Sequence, residues 1–584
     1  MIFDPLYNVR PIKNLKDMVE QSVSLYPDNN AFLLKIDDNN YTGVKYSQFS
    51  SDIDALGTAL TSLGLKGKYI AVIGENRYEW CVTYLSTVNG VGVIVPLDKE
   101  LPLTEIENLL IRSEASAVIF SNKLDKEMKM IAATLPSIKY FIRMDYKESK
   151  NNHQKDLFEN TDGKFLSYSK LISKGKELLL SGDRCFIDAE IDSEKLSILL
   201  FTSGTTDLAK GVMLSHKNIC ADIMAVCESL FICSSDSSLS ILPIHHTYEC
   251  TAGFLVMIYN GCTVSFNEGL KHIAKNLKET SPTILFLVPL ILENMYKKIW
   301  EQASKKKGMK AKLKVALFIS NILYNFLGID IRKKLFKQVH DNIGGRVRLI
   351  ISGAAAIDPK VLAGFRAMGI NLLQGYGLTE CAPIVTVNRE KAFRNSSIGQ
   401  PLPGVEVKLV DINSDGIGEL AVKGNNVMLG YFENKLATEK VLKDGWFFTG
   451  DLGHMDDSGF FYITGRKKNV IVTKNGKNIF PEEVEAYLNK SPYIQESLVW
   501  GRYDEESGET YVNAQIVPYI ESIKEKLKLE NPSYEDILKI ISLEIKSANR
   551  IMPLYKRIRD FSIRENEFEK TTTKKIKRYV EKIS

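Results

Sequence analysis

Short apolar runs of strand length alternate with stretches of helical periodicity through the first three quarters of the chain. The strand-length runs are residues 69–73, 91–95, 117–120, 198–201, 284–288 and 347–351. This alternation is typical of α/β folds, in which helical crossovers connect buried parallel strands. We therefore predict α/β subdomains with mostly parallel sheets. Residues 144–196 are polar at first, and we interpret them as a surface excursion.

A helical segment with an apolar face is predicted between residues 315 and 329. Its apolar positions share one side of a helix and follow a lysine-rich run, 305–314: Val315, Phe318, Ile319, Ile322 and Phe326. A helix of this kind can lie on an anionic bilayer. It can equally pack its apolar face on the protein and leave the lysines in solvent. The sequence leaves both interpretations open.

Composition indicates a large cytoplasmic protein. With 584 residues, 44% hydrophobic and 25% charged, the chain can bury an ample core and should form more than one domain. Its net charge of +5 gives no indication of a nucleic-acid partner. The eight cysteines lack C-x-x-C pairing, which favours reduced thiols. No signal-like apolar region and no apolar stretch of about 18 residues is found, so we expect neither secretion nor a membrane span.

The most informative polar segment is F-T-S-G-T-T-D-L-A-K-G at residues 201–211. It follows a buried strand and offers several hydroxyls around one flexible glycine: Thr202, Ser203, Gly204, Thr205 and Thr206. Hydroxyls and free backbone N–H groups in such a turn can surround one anion, and Lys210 adds a mobile positive charge. The spacing is not that of a Walker A loop. We predict a phosphate-binding loop.

Further short motifs follow in chain order. They are S-G-A-A-A at 352–356, G-Y-G-L-T-E at 375–380, W-F-F-T-G-D at 446–451, G-R-K-K-N at 465–469 and a lysine-rich tail at 568–578. A small-residue turn after a strand lets a flat ring approach the backbone. The ionised Asp451 can accept hydrogen bonds from two donors at once.

Together these motifs resemble, in type and order, those of the acyl-adenylate-forming superfamily, and most closely the long-chain fatty acyl-CoA synthetases. The resemblance covers nearly the whole chain. It implies a large adenylation domain, residues 1–465, and a small mobile α+β domain, residues 466–584, with Lys468 at the hinge. Four positions depart from the usual family motifs: Asp207 and Ala209 replace Gly and Pro, and Glu569 and Lys574 replace Pro and Gly.

The resemblance also implies roles for individual residues. Thr206, Glu380 and Lys575 correspond to catalytic positions, and Glu380 would hold Mg²⁺. Contacts to ATP or AMP are implied for the loop 202–206 with Lys210, for the adenine wall Gly353, Ala354 and Ala355, for Gly375, Tyr376, Gly377 and Thr379, and for the ribose-binding pair Asp451 and Arg466. Tyr376 would stack on adenine and Thr379 would contact the α-phosphate.

Two further sites are assigned by resemblance to single motifs. L-P-I-H-H-T-Y-E at 242–249 is similar to the acyl-pocket motif, which implicates His246 and Tyr248. A structural histidine is the alternative for His246. Gly476 matches the glycine loop that approaches the CoA pantetheine channel, although a plain surface turn would give the same pattern.

The implied function is ATP- and Mg²⁺-dependent activation of a long-chain fatty acid to acyl-AMP, with pyrophosphate release, followed by transfer to CoA. An acyl carrier protein as acceptor and an aryl or medium-chain acid as substrate stay open. A non-catalytic nucleotide-binding or membrane scaffold is the alternative from a different class. Retention of Tyr376, Glu380, Asp451, Arg466 and Lys575 argues against it. We expect a cytoplasmic enzyme without a nucleic-acid partner, in peripheral contact with an anionic inner membrane face through residues 305–334.

Overall fold

The computed structural model describes residues 3–38, 40–144, 163–202, 209–305, 308–473, 477–505, 509–570 and 576–578. The chain divides into two compact units. The first contains residues 1–202, 210–406 and 423–445, and the second contains residues 203–209, 407–422 and 446–584, in each case as far as they are described.

The described strands are numbered in chain order. They are β1 (Asn30–Asp37), β2 (Asn40–Lys45), β3 (Lys68–Ile73), β4 (Gly92–Leu97), β5 (Ala115–Ser121), β6 (Tyr140–Met144), β7 (Phe165–Ser167), β8 (Leu196–Thr202), β9 (Lys210–Ser215), β10 (Ser237–Ser240), β11 (Thr263–Phe266), β12 (Ile284–Leu287), β13 (Leu349–Ser352), β14 (Asn371–Gly377), β15 (Ile384–Val387), β16 (Gln400–Pro401), β17 (Val405–Val410), β18 (Gly418–Gly424), β19 (Gly430–Tyr431), β20 (Leu442–Lys443), β21 (Trp446–Met455), β22 (Phe461–Arg466), β23 (Ile471–Val472), β24 (Asn478–Ile479), β25 (Ile494–Asp504), β26 (Glu509–Pro518) and β27 (Ile558–Ile563).

The described α-helices are numbered in the same way. They are α1 (Leu15–Leu25), α2 (Tyr46–Ser62), α3 (Tyr78–Ser86), α4 (Leu103–Arg112), α5 (Asp125–Thr134), α6 (Tyr168–Leu180), α7 (His216–Ser229), α8 (Val256–Tyr259), α9 (Ile273–Thr280), α10 (Pro289–Lys305), α11 (Met309–Leu327), α12 (Arg332–Leu335), α13 (Lys337–Asn342), α14 (Pro359–Ala367), α15 (Lys435–Val441), α16 (Pro481–Leu488), α17 (Ile520–Leu527) and α18 (Tyr534–Ile551).

Two large sheets organise the first unit. One has the strand order β19-β9-β8-β4-β3-β5-β6-β7, and the other has the order β16-β15-β14-β13-β12-β10-β11-β1-β2. Strands β3, β4 and β5 pair in parallel, as do β12, β13 and β14. Antiparallel pairs occur at the edges, including the β8–β9 hairpin. The strand-length apolar runs thus form strands of mostly parallel sheets, which confirms the predicted fold class.

The interpretation of residues 144–196 as a surface excursion is wrong for residues 165–180. Strand β7 extends the first sheet beside β6, and helix α6 follows it with Tyr168 and Leu171 buried. At Gly175 a Cβ atom would lie 1.8 Å from the Ala55 carbonyl oxygen, so α6 packs closely on α2. The low apolar content at the start of this segment concealed the few large side chains that hold it against the sheet.

The second unit contains a small α+β layer after β22. Strands β25 and β26 pair antiparallel, and β27 adds to β26 in parallel. Helix α18 begins at a capping box formed by Ser533 and Asp536, and its buried residues Ile540, Ile541 and Ile545 pack on the sheet. This unit therefore has its own hydrophobic core.

The structure also bears on the predicted absence of a membrane span. In the part of the chain that the structure describes, no helix is both long enough and apolar enough to cross a bilayer.

Candidate active site

The predicted phosphate loop joins the two strands of the β8–β9 hairpin. Thr202 and Lys210 lie directly opposite each other in the antiparallel register, and the Thr202 hydroxyl donates to the Lys210 carbonyl at 3.4 Å. The intervening Ser203, Gly204, Thr205 and Thr206 lie outside the described residues. The hairpin therefore fixes both ends of the loop at one edge of a buried sheet.

Lys210 and Glu380 are linked through Tyr431, which the sequence analysis missed. The Lys210 ammonium nitrogen lies 4.7 Å from the centroid of the Tyr431 ring. The Tyr431 hydroxyl donates to Oε1 of Glu380 at 2.9 Å. A cation–π contact and a charge-assisted hydrogen bond thus bring the lysine and the carboxylate to the same aromatic side chain. No motif surrounds Tyr431, so nothing in the sequence identified it.

Glu380 lies on a short 3₁₀ turn, Thr379–Cys381, just after strand β14. Its carbonyl accepts from the Met428 backbone N–H at 2.9 Å, which ties this turn to the segment before Tyr431. Among the described residues, no cluster of three or more His, Cys, Asp or Glu side chains could hold a metal alone. A single half-buried carboxylate fits Mg²⁺ only in the mode in which substrate phosphates supply further ligands.

The predicted adenine wall follows β13 at the carboxyl edge of the second sheet. Strands β13 and β14 are parallel neighbours, with Ser352 opposite Gln374, so Gly353 and Gly375 follow at the same edge. A Cβ at Gly353 would lie 2.9 Å from the Tyr248 ring. Ala354 has a φ of +69°, in the left-handed region that alanine rarely adopts. Ala355, next in this turn, is exposed.

Tyr376 and its flanking glycines end strand β14. Tyr376 pairs with Thr386 of β15 in an antiparallel register, and its side chain is half-buried. At Gly377 a Cβ would lie 2.0 Å from the Pro383 carbonyl oxygen, so only glycine fits. Two turns of small residues, after β13 and at the end of β14, therefore lie at neighbouring positions of one sheet edge.

The acyl-pocket motif contains one buried and one half-buried histidine. The rings of His245 and His246 have centroids 4.1 Å apart. Burial lowers the pKa of His245 to about 3, so this ring is neutral at pH 7. His246 is the more accessible of the two. Tyr248 packs under Gly353, and its hydroxyl donates to the Ile351 carbonyl at 2.9 Å. The acyl-pocket motif and the adenine-wall turn are thus in direct contact.

Glu249, next to Tyr248, is a fully buried carboxyl and leads to a pH prediction. Burial raises its pKa from 4.5 to about 8, against opposing hydrogen bonds from Ser240 and the Leu242 backbone. The folded protein holds the proton while the unfolded chain ionises, so stability should fall as the pH rises from about 4.5 towards about 8. We expect Glu249→Gln to flatten this decline, measured as urea midpoints across that range. Identical pH profiles for both proteins would contradict the assignment.

Asp451 and Arg466 form an ion pair in the second unit. They face each other across the β21–β22 ladder, and Nε of Arg466 lies 2.7 Å from Oδ1 of Asp451. Arg466 Nη1 also donates to the Thr449 carbonyl at 3.2 Å. Asp451 is almost completely buried, whereas the Arg466 side chain is partly exposed. The arginine therefore orients a carboxylate that can accept hydrogen bonds from a diol.

The predicted hinge, Lys468, lies in a short 3₁₀ turn between β22 and β23. The residues directly before and after Lys468 are each held by a side-chain contact. Lys467 pairs with Glu419 at 2.7 Å, and Asn469 donates to Glu482 at 2.6 Å. Gly476 lies outside the described residues.

The C-terminal tail is anchored on both sides of the predicted catalytic lysine. Lys570 bridges Ile576 in an antiparallel pair, and the Lys577 N–H donates to the Glu569 carbonyl at 2.8 Å. Residues 571–575, which include Lys574 and Lys575, lie outside the described residues. Next to this pair, Arg578 donates to both carboxylate oxygens of Glu485 at 2.5 Å.

Arg578 also donates to the Val499 carbonyl at 2.9 Å, and the Val499 N–H donates to Glu485 at 2.7 Å. Burial raises the pKa of Glu485, and the Arg578 guanidinium opposes that rise. Hydrogen bonds from Arg578 thus fix the tail to Val499 of β25 and to Glu485 of α16, and these two residues are hydrogen-bonded to each other. We refer to Glu485, Val499 and Arg578 as the tail anchor.

The chain is 29% identical over 546 residues to long-chain-fatty-acid–CoA ligase 1 of Cavia porcellus, covering 89% of this chain and 76% of that protein. It is 31% identical over 483 residues to long-chain-fatty-acid–CoA ligase 6 of Rattus norvegicus, covering 78% and 67%. Its fold is similar to the crystal structure of an anthranilate CoA ligase in complex with anthranoyl-AMP, with a TM-score of 0.73, 21% identity, and coverage of 98% and 97%.

Two consecutive parts of the chain match known domain families. Residues 468–581 match the C-terminal domain of AMP-binding enzymes. Residues 19–432, which include the β8–β9 hairpin, the turns after β13 and β14 and Tyr431, match the AMP-binding enzyme family. The chain belongs to the AMP-binding enzyme family.

Proposed function

We propose that this protein is an AMP-forming ligase that joins a long-chain fatty acid to CoA. The main observation in support is the link from Lys210 through Tyr431 to Glu380, beside the two small-residue turns of the same unit. This arrangement supplies a cation for the phosphates of a nucleoside triphosphate, a carboxylate oxygen for their metal ion, and a flat backbone surface for the base. The long-chain acid is proposed because the similar proteins of Cavia porcellus and Rattus norvegicus carry that name.

In the first step, the fatty acid carboxylate attacks the α-phosphate of ATP and pyrophosphate leaves. The chain's own contribution is positioning and charge neutralisation. Thr202 and Lys210 hold the phosphate loop, which includes Thr206, and Thr379 lies on the turn that carries Glu380. Lys575 neutralises charge that develops on the α-phosphate. Tyr376 stacks on adenine, and Asp451 with Arg466 binds the ribose.

Glu380 would hold Mg²⁺, together with substrate phosphates. The ion would supply neutralisation of phosphate charge. Tyr431 keeps one oxygen of the carboxylate in a hydrogen bond, which restricts the rotation of the side chain. The fixed carboxylate would thereby limit where a cation and the bound phosphates can sit.

In the second step, the CoA thiol attacks the acyl-adenylate carbonyl and AMP leaves. We propose that residues 466–584 move as a small domain relative to residues 1–465, with Lys468 as the hinge and Gly476 beside the pantetheine of CoA. The contacts of Lys467 and Asn469 support this hinge, because both neighbours of Lys468 are fixed by side-chain hydrogen bonds. Rotation would then be concentrated at one residue.

We also propose that the enzyme works in the cytoplasm, in peripheral contact with an anionic membrane through residues 305–334. His246 and Tyr248 would line the acyl pocket next to the adenylate. An acyl carrier protein as the acceptor is the alternative within the same chemistry.

The decisive experiment is pyrophosphate release from ATP and Mg²⁺ with a series of acids from acetate to palmitate, benzoate and amino acids. Each acid is tested with and without CoA. We expect release to peak with long acyl chains and acyl-CoA to form only with CoA. Release without thioester formation would indicate a carrier-protein acceptor. Absence of release with every acid would contradict ligase activity and favour a scaffold.

The tail anchor gives a second prediction. Because Arg578 fixes the chain three residues beyond Lys575, Arg578→Ala should lower the rate of adenylation by about tenfold, by letting the lysine sample more positions. Arg578→Lys should recover only part of the rate, because one ammonium nitrogen replaces the two nitrogens with which Arg578 reaches the Val499 carbonyl and Glu485.

The readout for the anchor is the ratio of two half-reactions. Thioester formation from presynthesised acyl-AMP should change much less than pyrophosphate release. Arg559→Ala is the matched control, since Arg559 lies over the Tyr511 ring in the same unit. Equal losses in both half-reactions would show that Arg578 only supports folding.

A further inference from the structure

Helix α11 exposes the apolar face that its sequence pattern predicts. Val315, Phe318, Ile319, Ile322 and Phe326 are all exposed, Phe318 by 67% and Phe326 by 83%. They recur at spacings of three and four residues and therefore lie along one side of the helix. An exposed continuous apolar stripe of this size is unusual for a protein surface in water.

The opposite side of α11 is the side that packs on the protein. Ser320 is fully buried, and its hydroxyl lies 3.4 Å from the Ala367 carbonyl at the end of α14. Leu313, Leu317 and Leu323 are partly buried on the same side. The interpretation in which the Phe318 face packs inward is therefore wrong, because the second, leucine-bearing face already fills that role.

Basic residues border the exposed face. Lys314 precedes Phe318 by four residues and Lys312 precedes Ile319 by seven, so the two lysines lie along opposite borders of the stripe. Helix α11 has no acidic residue. Lys333 and Lys334 are exposed shortly after its C-terminal end. The surface thus combines an apolar centre with positively charged borders.

This combination fits an anionic bilayer better than a second copy of the chain. Long lysine side chains can extend to phosphate groups while the apolar face enters the acyl-chain boundary. A second copy packed face to face on α11 would bring identical lysine borders together, which is unfavourable.

We propose that α11 lies in the headgroup layer of an anionic membrane, with Phe318, Ile322 and Phe326 inserted, and that the protein takes its acyl substrate from that membrane. The first part stands on α11 alone, and the second rests on the proposed ligase function. A long-chain acid partitions into bilayers, so a helix held at the surface shortens the route of the acid to the enzyme.

The test measures binding of the full-length protein to vesicles of phosphatidylcholine with and without phosphatidylglycerol. Phe318→Ser/Phe326→Ser should bind both kinds of vesicle at least about tenfold more weakly. Lys312→Gln/Lys314→Gln should weaken binding to the anionic vesicles alone, by about fivefold for each lysine at low salt. Matched controls are Leu180→Ser, an apolar residue 90% exposed at the end of α6, and Lys271→Gln/Lys278→Gln, both exposed.

Three results would overturn the proposal. The first is that the wild-type protein does not bind vesicles. The second is that the α11 variants bind as well as the controls do. The third is that the wild-type protein is a dimer and that only Phe318→Ser/Phe326→Ser is monomeric. The last result would assign the face to a second copy of the chain.

Substrate delivery is measured separately, with palmitate preloaded into anionic vesicles and with a shorter acid in vesicle-free buffer. We expect the α11 variants to lose rate with the vesicle-borne acid and to keep the wild-type rate in buffer. Equal rates for the variants and the wild type on vesicles would overturn the delivery step. If the protein bound vesicles but showed no turnover under any condition, the ligase function would be rejected. The proposal that α11 binds membranes would not be affected.

Discussion

Replacement of Lys575 by alanine should lower the rate of pyrophosphate release roughly a thousandfold. An ammonium about 4 Å from the α-phosphate, at an effective dielectric constant of about 20, contributes about 4 kcal/mol. If that contribution arises only in the transition state, the rate falls by a factor of about a thousand. The measurement is single-turnover formation of acyl-AMP from ATP and palmitate. Thioester formation from presynthesised acyl-AMP should be largely retained.

Lys574→Ala is the matched control, since it removes the same charge one position earlier in the tail. We expect it to lower adenylation much less. If Lys574→Ala abolished adenylation and Lys575→Ala kept the full rate, the assignment of the catalytic lysine would be shifted by one residue. The substitution of Lys574 for the usual family glycine makes this comparison necessary. The described contacts on both sides, Lys570 with Ile576 and Arg578 with Glu485, apply equally to both lysines.

The fold class was predictable because several of the buried strands are continuous apolar runs. Residues 69–73 and 284–288 are apolar throughout, as expected for strands covered on both faces. Residues 165–180 escaped because the polar residues before them dominated the interpretation, although Tyr168 and Leu171 lie at helical spacing. The close approach of helix α6 to α2 at Gly175 is a tertiary contact with no local signature.

For the candidate site, the sequence indicates only those residues that lie in short motifs. Gly377 and Glu380 are found by pattern because the turn after β14 is built from adjacent residues. Tyr431 is not, since it meets Lys210 and Glu380 through pairing of β19 with β9. Helix α11 is an intermediate case. Its amphipathic pattern was readable, but only the packing of Ser320 on α14 settles which face is exposed.

Asp451→Asn should lower kcat/KM for ATP about a hundredfold. The neutral amide keeps the size of the side chain but loses the charge that now pairs with Arg466, and its NH₂ group is a donor where the carboxylate only accepts. Two hydrogen bonds from ribose hydroxyls to a carboxylate contribute about 1.5–3 kcal/mol each, and an amide oxygen retains part of that. Most of the loss should appear as a higher KM for ATP, since the ribose contacts are made in the ground state as well.

A direct test of ribose binding compares ATP with 2′-deoxy-ATP and 3′-deoxy-ATP. The wild-type enzyme should discriminate strongly against both analogues, and Asp451→Asn should discriminate much less, because the analogue and the variant remove the same interaction. Asp504→Asn is the matched control, since Asp504 is a half-buried carboxylate of the same unit whose Oδ2 lies 3.7 Å from Nη1 of Arg559. It should keep the wild-type discrimination even if it lowers stability. Unchanged discrimination in Asp451→Asn would mean that this carboxylate serves to orient Arg466 and does not contact the nucleotide.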